Sequence, residues 1–111
     1  MKESLTDENF DQETFDSSDP VLVFFGAERC SVCKELMPVV EEIAGDYTGR
    51  LKVCWVDVDQ YRSLFKRFRL RGIPTLLLFK NGEAEDRIGG LHPKEELASR
   101  IDRLITSRTG N

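Results

Sequence analysis

The chain of 111 residues is long enough to bury one hydrophobic core and too short for two. A formal net charge of −4 argues against a generic nucleic-acid binder, and no apolar run approaches the length of a membrane span. Three cysteines, an odd set, argue against a disulfide-stapled secreted fold. The acids Glu3, Asp7, Glu8 and Asp11 stand where an export signal would need apolar residues, so a reducing cytoplasm is the expected setting.

In chain order, residues 5–10 mark a helix start, with Thr6 as N-cap and acids in the first turn. That helix is expected to stop before the turn cluster Ser17-Ser18-Asp19-Pro20, and a small strand ahead of it is marked only weakly. Val21-Leu22-Val23-Phe24-Phe25 is an apolar run bounded by turn signals, the pattern of a strand buried on both faces. From Cys33 onward, Leu36, Val39, Val40 and Ile43 recur at helical spacing, and Pro38 inside that helix predicts a kink. Residues 51–58 form a second buried strand, after which Asp59 is placed to cap a short helix carrying Leu64, Phe65 and Phe68. Residues 75–79 and 83–88, joined by Asn81-Gly82, predict a hairpin with a tight turn. Pro93 is expected at the first position of the last helix, with Glu95 supporting its cap and Leu97, Ile101, Leu104 and Ile105 as its buried stripe. The order α-β-α-β-α-β-β-α gives an α/β fold, a mixed central sheet flanked by helices, as one domain over residues 1–111 whose end, from about residue 108, frays.

Cys30 and Cys33 carry the chemistry. A Cys-x-x-Cys pair opening a helix, directly after a buried strand, suits thiol–disulfide exchange. One thiolate attacks a substrate disulfide, and the second, a turn away, resolves the mixed disulfide. Cys30, at the helix N-terminus, is the expected nucleophile, because the free N–H groups there favour an anion. Arg29 beside it adds positive charge, provided its head turns toward the sulfur. Cys33, further into the helix, is the expected resolving thiol. A zinc site would need about four ligands, and only Cys54 and His92 remain beyond the pair, so neither metal nor cofactor is expected. Cys54, within a buried strand, reads as a small hydrophobe, and His92, at a helix start, as a cap or surface residue. Glu28, two residues before Cys30, is a candidate proton acceptor whose ordinary place is in solvent.

Charge is unevenly spread. The first twenty residues hold seven acids and one lysine, whereas Arg62, Lys66, Arg67, Arg69 and Arg71 cluster with no acid among them. That cluster is first of all a solvated helix face, and alternatively a docking rim for an acidic partner.

Several blocks resemble the thioredoxin family. They are Leu5-Thr6-Asp7 with Phe10-Asp11, Val21-Leu22-Val23, and Ala27-Glu28 before Cys30, with Cys33-Lys34 and Pro38 after it. Further on stand Val56-Asp57-Val58-Asp59-Gln60, the long run from Arg71-Gly72-Ile73-Pro74-Thr75 through Asn81-Gly82, and Ile88-Gly89. The resemblance implies the thioredoxin fold, a cis peptide before Pro74, and exchange at Cys30/Cys33. It also implies client proteins with disulfides, a thioredoxin reductase using NADPH as recycling partner, and a monomer. Pro74 would lie against the cysteines and leave Ile73 free to pair with an extended client, while Gly72 and Gly89 keep the groove open. Arg29 and Val32 would touch the client as well.

The departures are specific. Where the family has Trp-Cys-Gly-Pro-Cys, this chain has Arg29-Cys30-Ser31-Val32-Cys33, and a further family tryptophan is Gly26 here. The family's buried aspartate, which helps move the proton of the second cysteine, falls on Phe24, and its neighbouring lysine on Trp55. An aromatic pair thus replaces a buried ion pair, with Gly26 leaving room for Trp55. The leading reading is a protein-disulfide reductase. The alternative is an interaction protein on the same fold with a vestigial or sensory redox pair, and a third is a reductase dedicated to one client.

Overall fold

Strand formation in the centre of the molecule follows from β-branched and aromatic residues in uninterrupted apolar runs. The computed structural model describes residues 3–106, so the expected fraying at the C-terminus lies outside the described residues. In chain order the elements are β1 (Glu3–Ser4), α1 (Phe10–Glu13), β2 (Val21–Gly26), α2 (Ser31–Asp46), β3 (Lys52–Asp57), α3 (Arg62–Arg67), β4 (Thr75–Lys80), β5 (Glu83–Gly89) and α4 (Lys94–Thr106). The sheet runs β1-β3-β2-β4-β5. β1, β3 and β2 are parallel, and β4 and β5 follow antiparallel. The weakly marked first strand is therefore real, pairing Glu3 and Ser4 with Cys54 and Trp55 of β3.

Every residue of β2 is buried, and its side chains alternate between two cores. Leu22 and Phe24 join Cys33, Leu36, Val40 and Ile43 of α2 and Leu97, Ile101 and Leu104 of α4. Val21, Val23 and Phe25 face the other way, toward Phe10 of α1 and Leu64 of α3. The sheet is thus covered by α2 and α4 on one face and by α1 and α3 on the other. Asn81 and Gly82, both at positive φ (55° and 82°), form the mirror-image turn that the Asn-Gly pair favours between β4 and β5.

Three local expectations change. The first helix is a single turn starting at Phe10, with Asn9 at its N-cap. Thr6 instead closes the preceding turn, its Oγ1 accepting the Glu8 and Asn9 amides while its own N–H donates to Asn9 Oδ1 at 2.7 Å. Asp59 does not cap α3; Asp57 Oδ1 accepts the Asp59 amide at 2.9 Å and organises that turn, which leaves the Asp59 carboxylate free for a distant partner. Pro93 lies one position ahead of α4, its carbonyl accepting the Glu96 and Leu97 amides. α2 continues across Pro38 to Asp46.

Candidate functional site

Buried β2 ends at Gly26, and a short turn then delivers Cys30 to the head of α2. Cys30 is the N-cap, with extended backbone (φ −92°, ψ 109°). Its Sγ accepts the Cys33 backbone N–H at 3.1 Å, taking the place that a serine or aspartate oxygen fills at most N-caps. The same sulfur lies 3.9 Å from the carbonyl oxygen of Ile73, and the Ile73–Pro74 peptide is cis. Cys30 is half-buried, whereas Cys33 is 1% exposed. Burial, followed by the hydrogen bond with Cys30, pushes the Cys33 thiol up to about 12, with the Ala27 backbone pulling weakly the other way. The two sulfurs are therefore unequal: one meets solvent and the other is held neutral beneath it.

Arg29 is exposed, and its guanidinium does not turn toward the sulfur. It makes a two-pronged bond to Asp59, Nε–Oδ2 at 2.8 Å and Nη2–Oδ1 at 2.9 Å, so the expected attraction for the Cys30 thiolate is largely committed elsewhere. Val32, 37% exposed, presents an apolar surface between the cysteines. Gly72 and Gly89 border the cis-proline loop, and a Cβ added at either would meet nothing within 4 Å. Among the described residues, the Ile73 amide has no hydrogen-bond acceptor. Pro74 is buried and its carbonyl accepts the Gly90 amide at 3.0 Å, which ties the loop to the end of β5.

Beneath the cysteines, Phe24 and Trp55 pack with ring centroids 5.1 Å apart and planes tilted by 57°. A Cβ at Gly26 would lie 2.8 Å from Phe24 Cε1, 3.0 Å from Cys33 Sγ and 3.1 Å from Trp55 Cζ3. The glycine is required by the aromatic pair that fills its space. A groove of about 480 Å³ runs from Cys33 past Trp55 to Glu28 and Lys34 at its rim.

Two features lay outside the sequence reading. Asp59 is the partner of Arg29, across thirty positions of chain, with no local signal to announce it. His92 Nε2 lies 2.8 Å from the Gly89 carbonyl, and Nδ1 lies 2.9 Å from Glu96. The histidine thus steadies the strand end at the groove, and those two acceptors raise its pKa, the Gly89 carbonyl more than Glu96. The i,i+4 spacing of His92 and Glu96 was the signal available. Cys54 is fully buried and pushed up to about 12 by burial, in keeping with a purely packing role. Among the described residues, no group of three His, Cys, Asp or Glu side chains could hold a metal ion, and no helix is long and apolar enough to cross a membrane.

An N-terminal helix cysteine with a buried second thiol, set against a cis-proline loop, defines a dithiol–disulfide exchange protein. The Thioredoxin family model matches residues 1–103, and the chain belongs to the thioredoxin family. It is 41% identical to the thioredoxin of Pseudomonas aeruginosa over 102 residues, covering 92% of this chain and 94% of that one. It is 43% identical to the thioredoxin of Staphylococcus haemolyticus over 101 residues (91% and 95% of the two chains). Thioredoxin M5 of the rice chloroplast is 39% identical over 101 residues, which cover 91% of this chain and 59% of that one. The protein is accordingly a thiol–disulfide oxidoreductase that reduces the disulfides of client proteins.

Proposed function

We propose that Cys30 is the attacking thiolate and Cys33 the resolving thiol of a two-electron cycle. The observation that carries this is the Cys33 N–H donating to Cys30 Sγ at 3.1 Å, at the open end of α2 beside the Ile73 carbonyl. Cys30 attacks one sulfur of the client disulfide, forming a mixed disulfide and releasing a client thiolate that takes a proton from water. Cys33 then loses its proton and attacks Cys30, forming the Cys30–Cys33 disulfide and releasing the second client thiolate. The client gains two electrons and two protons, and the protein is left oxidised. The client backbone pairs with Ile73 along the cis-proline loop, Gly72 and Gly89 leave it room, and Arg29 and Val32 contact its side chains.

Phe24 alters the second step. With an apolar ring in place of a buried acid, the ionisable neighbours that bear most on Cys33 are Cys30, which raises its pKa, and Arg29, which lowers it. The proton leaves with the departing client thiolate or through the groove between Glu28 and Lys34. The chain works as one domain and a monomer in a reducing cytoplasm, recharged by a thioredoxin reductase using NADPH. Rapid alkylation of the reduced protein tests the assignment. Cys30 takes the first label, Cys33 and Cys54 lag by roughly tenfold or more, and Cys33→Ser traps mixed disulfides with clients while Cys30→Ser traps none. First labelling at Cys33 would reverse the roles.

A further inference from the structure

The structure assigns a preference for clients whose reactive disulfide is flanked by Asp and Glu, read by a basic surface on both sides of the cis-proline loop. This rests on the exchange reading above and adds the substrate class. Two open grooves meet at Gly72 and Ile73, beside Cys30. One, of about 300 Å³, has Arg62 and Lys66 of α3 on its wall, and the other, of about 620 Å³, passes Arg69 and Arg71 on its way to Gly89. The one carboxylate lining either groove is Asp59, which Arg29 already holds.

These cations are not used to hold the fold. In the same cluster, Arg67 pairs with Asp11 at 2.8 Å and lies over the rings of Phe10, Phe15 and Phe68. Arg62, Lys66, Arg69 and Arg71 are exposed, and among the described residues none has a carboxylate within ion-pair distance. A chain of net charge −4 therefore presents a positive surface beside its reactive sulfur, offset in part by the through-space attraction between Arg62 and Asp59. An acidic segment supplies the missing charges, and field lines from such a patch raise the encounter rate with it.

Arg69 is independent support. It sits at φ 53°, one residue past the C-cap of α3, where its amide donates to the Lys66 carbonyl and the Leu70 amide to the Phe65 carbonyl. This helix-terminating motif is usually completed by glycine, which adopts positive φ without steric cost. A long cation thus stands where the backbone favours glycine, and it adds its charge to the wall of the second groove.

The test uses short peptides of one sequence frame flanked by Asp/Glu, by Ser/Gln or by Lys. Cysteine-free versions report binding to the reduced protein, and disulfide versions report the second-order reduction rate. The acidic peptide is expected to bind more tightly and react roughly tenfold faster than the neutral one at low salt, with the advantage largely gone at about 0.5 M salt. Arg69→Gly should raise the thermal midpoint yet reduce the acidic-to-neutral ratio, and Arg62→Gln/Lys66→Gln should bring that ratio near one. Equal binding of acidic and neutral peptides, or a preference unchanged in these variants, would overturn the proposal. So would tighter binding of a single-stranded RNA oligonucleotide than of the acidic peptide. An acidic preference in binding without reduction of any peptide would uphold the surface and instead refute the roles of Cys30 and Cys33.

Discussion

At Gly26 a single missing methyl group decides how the site is packed. A Cβ there would press on Phe24 Cε1 at 2.8 Å and on Cys33 Sγ at 3.0 Å, and both neighbours are buried. Gly26→Ala is expected to cost roughly 1–3 kcal/mol by overpacking. A double-mutant cycle with Phe24→Leu should recover part of it, whereas strict additivity would mean that Phe24 is not the obstacle. Phe24→Asp alone should cost several kcal/mol (roughly 3–5), since it places an unpaired acid in a fully buried position, and adding Trp55→Lys should restore a share of that loss. The same neighbourhood governs the chemistry of Cys33, whose thiol is held at about 12 by burial first and by Cys30 second. In the mixed disulfide Cys30 is no longer a thiol, but burial, the larger cause, still raises Cys33, so resolution should accelerate through pH 9 instead of levelling near roughly 8.5, the value of a free thiol. Stopped-flow traces of the second step across pH check this. A rate flat between pH 7 and 9 would show that a fixed base other than solvent takes the proton.

Loops between the elements hold the proposed client-facing surface. The connection from β3 to α3 is organised by Asp57, whose Oδ1 accepts the Asp59 amide at 2.9 Å, and this in turn sets Asp59 opposite Arg29. The cis-proline loop is tied at both ends, by Thr75 Oγ1 donating to the Gly72 carbonyl at 2.8 Å and by Gly90 donating to Pro74. Gly72 and Gly89 have ordinary φ angles, and their missing side chains would point into open space. Replacing either by alanine should therefore stabilise the fold slightly, by about 0.4–1 kcal/mol, through a less flexible unfolded chain. The added methyl would stand in the path of the client backbone, so reduction of a protein disulfide should slow while Cys30 alkylation by a small reagent stays fast. Unchanged protein-disulfide turnover in both variants would place the client elsewhere.

Across the whole molecule, the sheet divides the core so that three groups which resist ionisation lie on its two sides. Cys33 and Cys54 are raised from 9.0 to about 12, and Tyr47, donating to Asp102 Oδ1 at 2.6 Å, is raised from 10.0 to about 12, burial being the first cause in each case. All three are protonated in the native state, whereas the unfolded chain loses these protons from about pH 9 upward. Their contribution is fully present below that value and declines as pH rises toward 12, by up to roughly 1.4 kcal/mol per pH unit for each group. Urea midpoints of the reduced protein should fall steeply between pH 9 and 11. Cys54→Val removes one of the titrating groups and should flatten that fall; an identical slope would show that these buried groups are not its source.

What sequence alone determined about this protein was whatever depends on near neighbours in the chain. Short apolar runs bounded by turn signals read as strands covered on both sides, and Asn81-Gly82 could turn between two strands because both residues tolerate positive φ. The Cys30/Cys33 spacing placed both sulfurs at one end of a helix, and the substitutions at Gly26, Phe24 and Trp55 were legible as one change because strand register sets Phe24 beside Trp55. Only the tertiary structure decided which charges act. Arg29 could have turned to the adjacent sulfur and turned to Asp59; of the basic residues near α3, Arg67 found Asp11, and among the described residues its neighbours found no acid within ion-pair distance. The fold likewise left Asp59 out of the α3 cap and had Asp57 organise the turn before that helix. The physical reason is range. Backbone preference and burial pattern are written over a few residues, whereas long polar side chains choose partners by distance over the folded surface, and that distance exists only once the sheet and its helices have assembled.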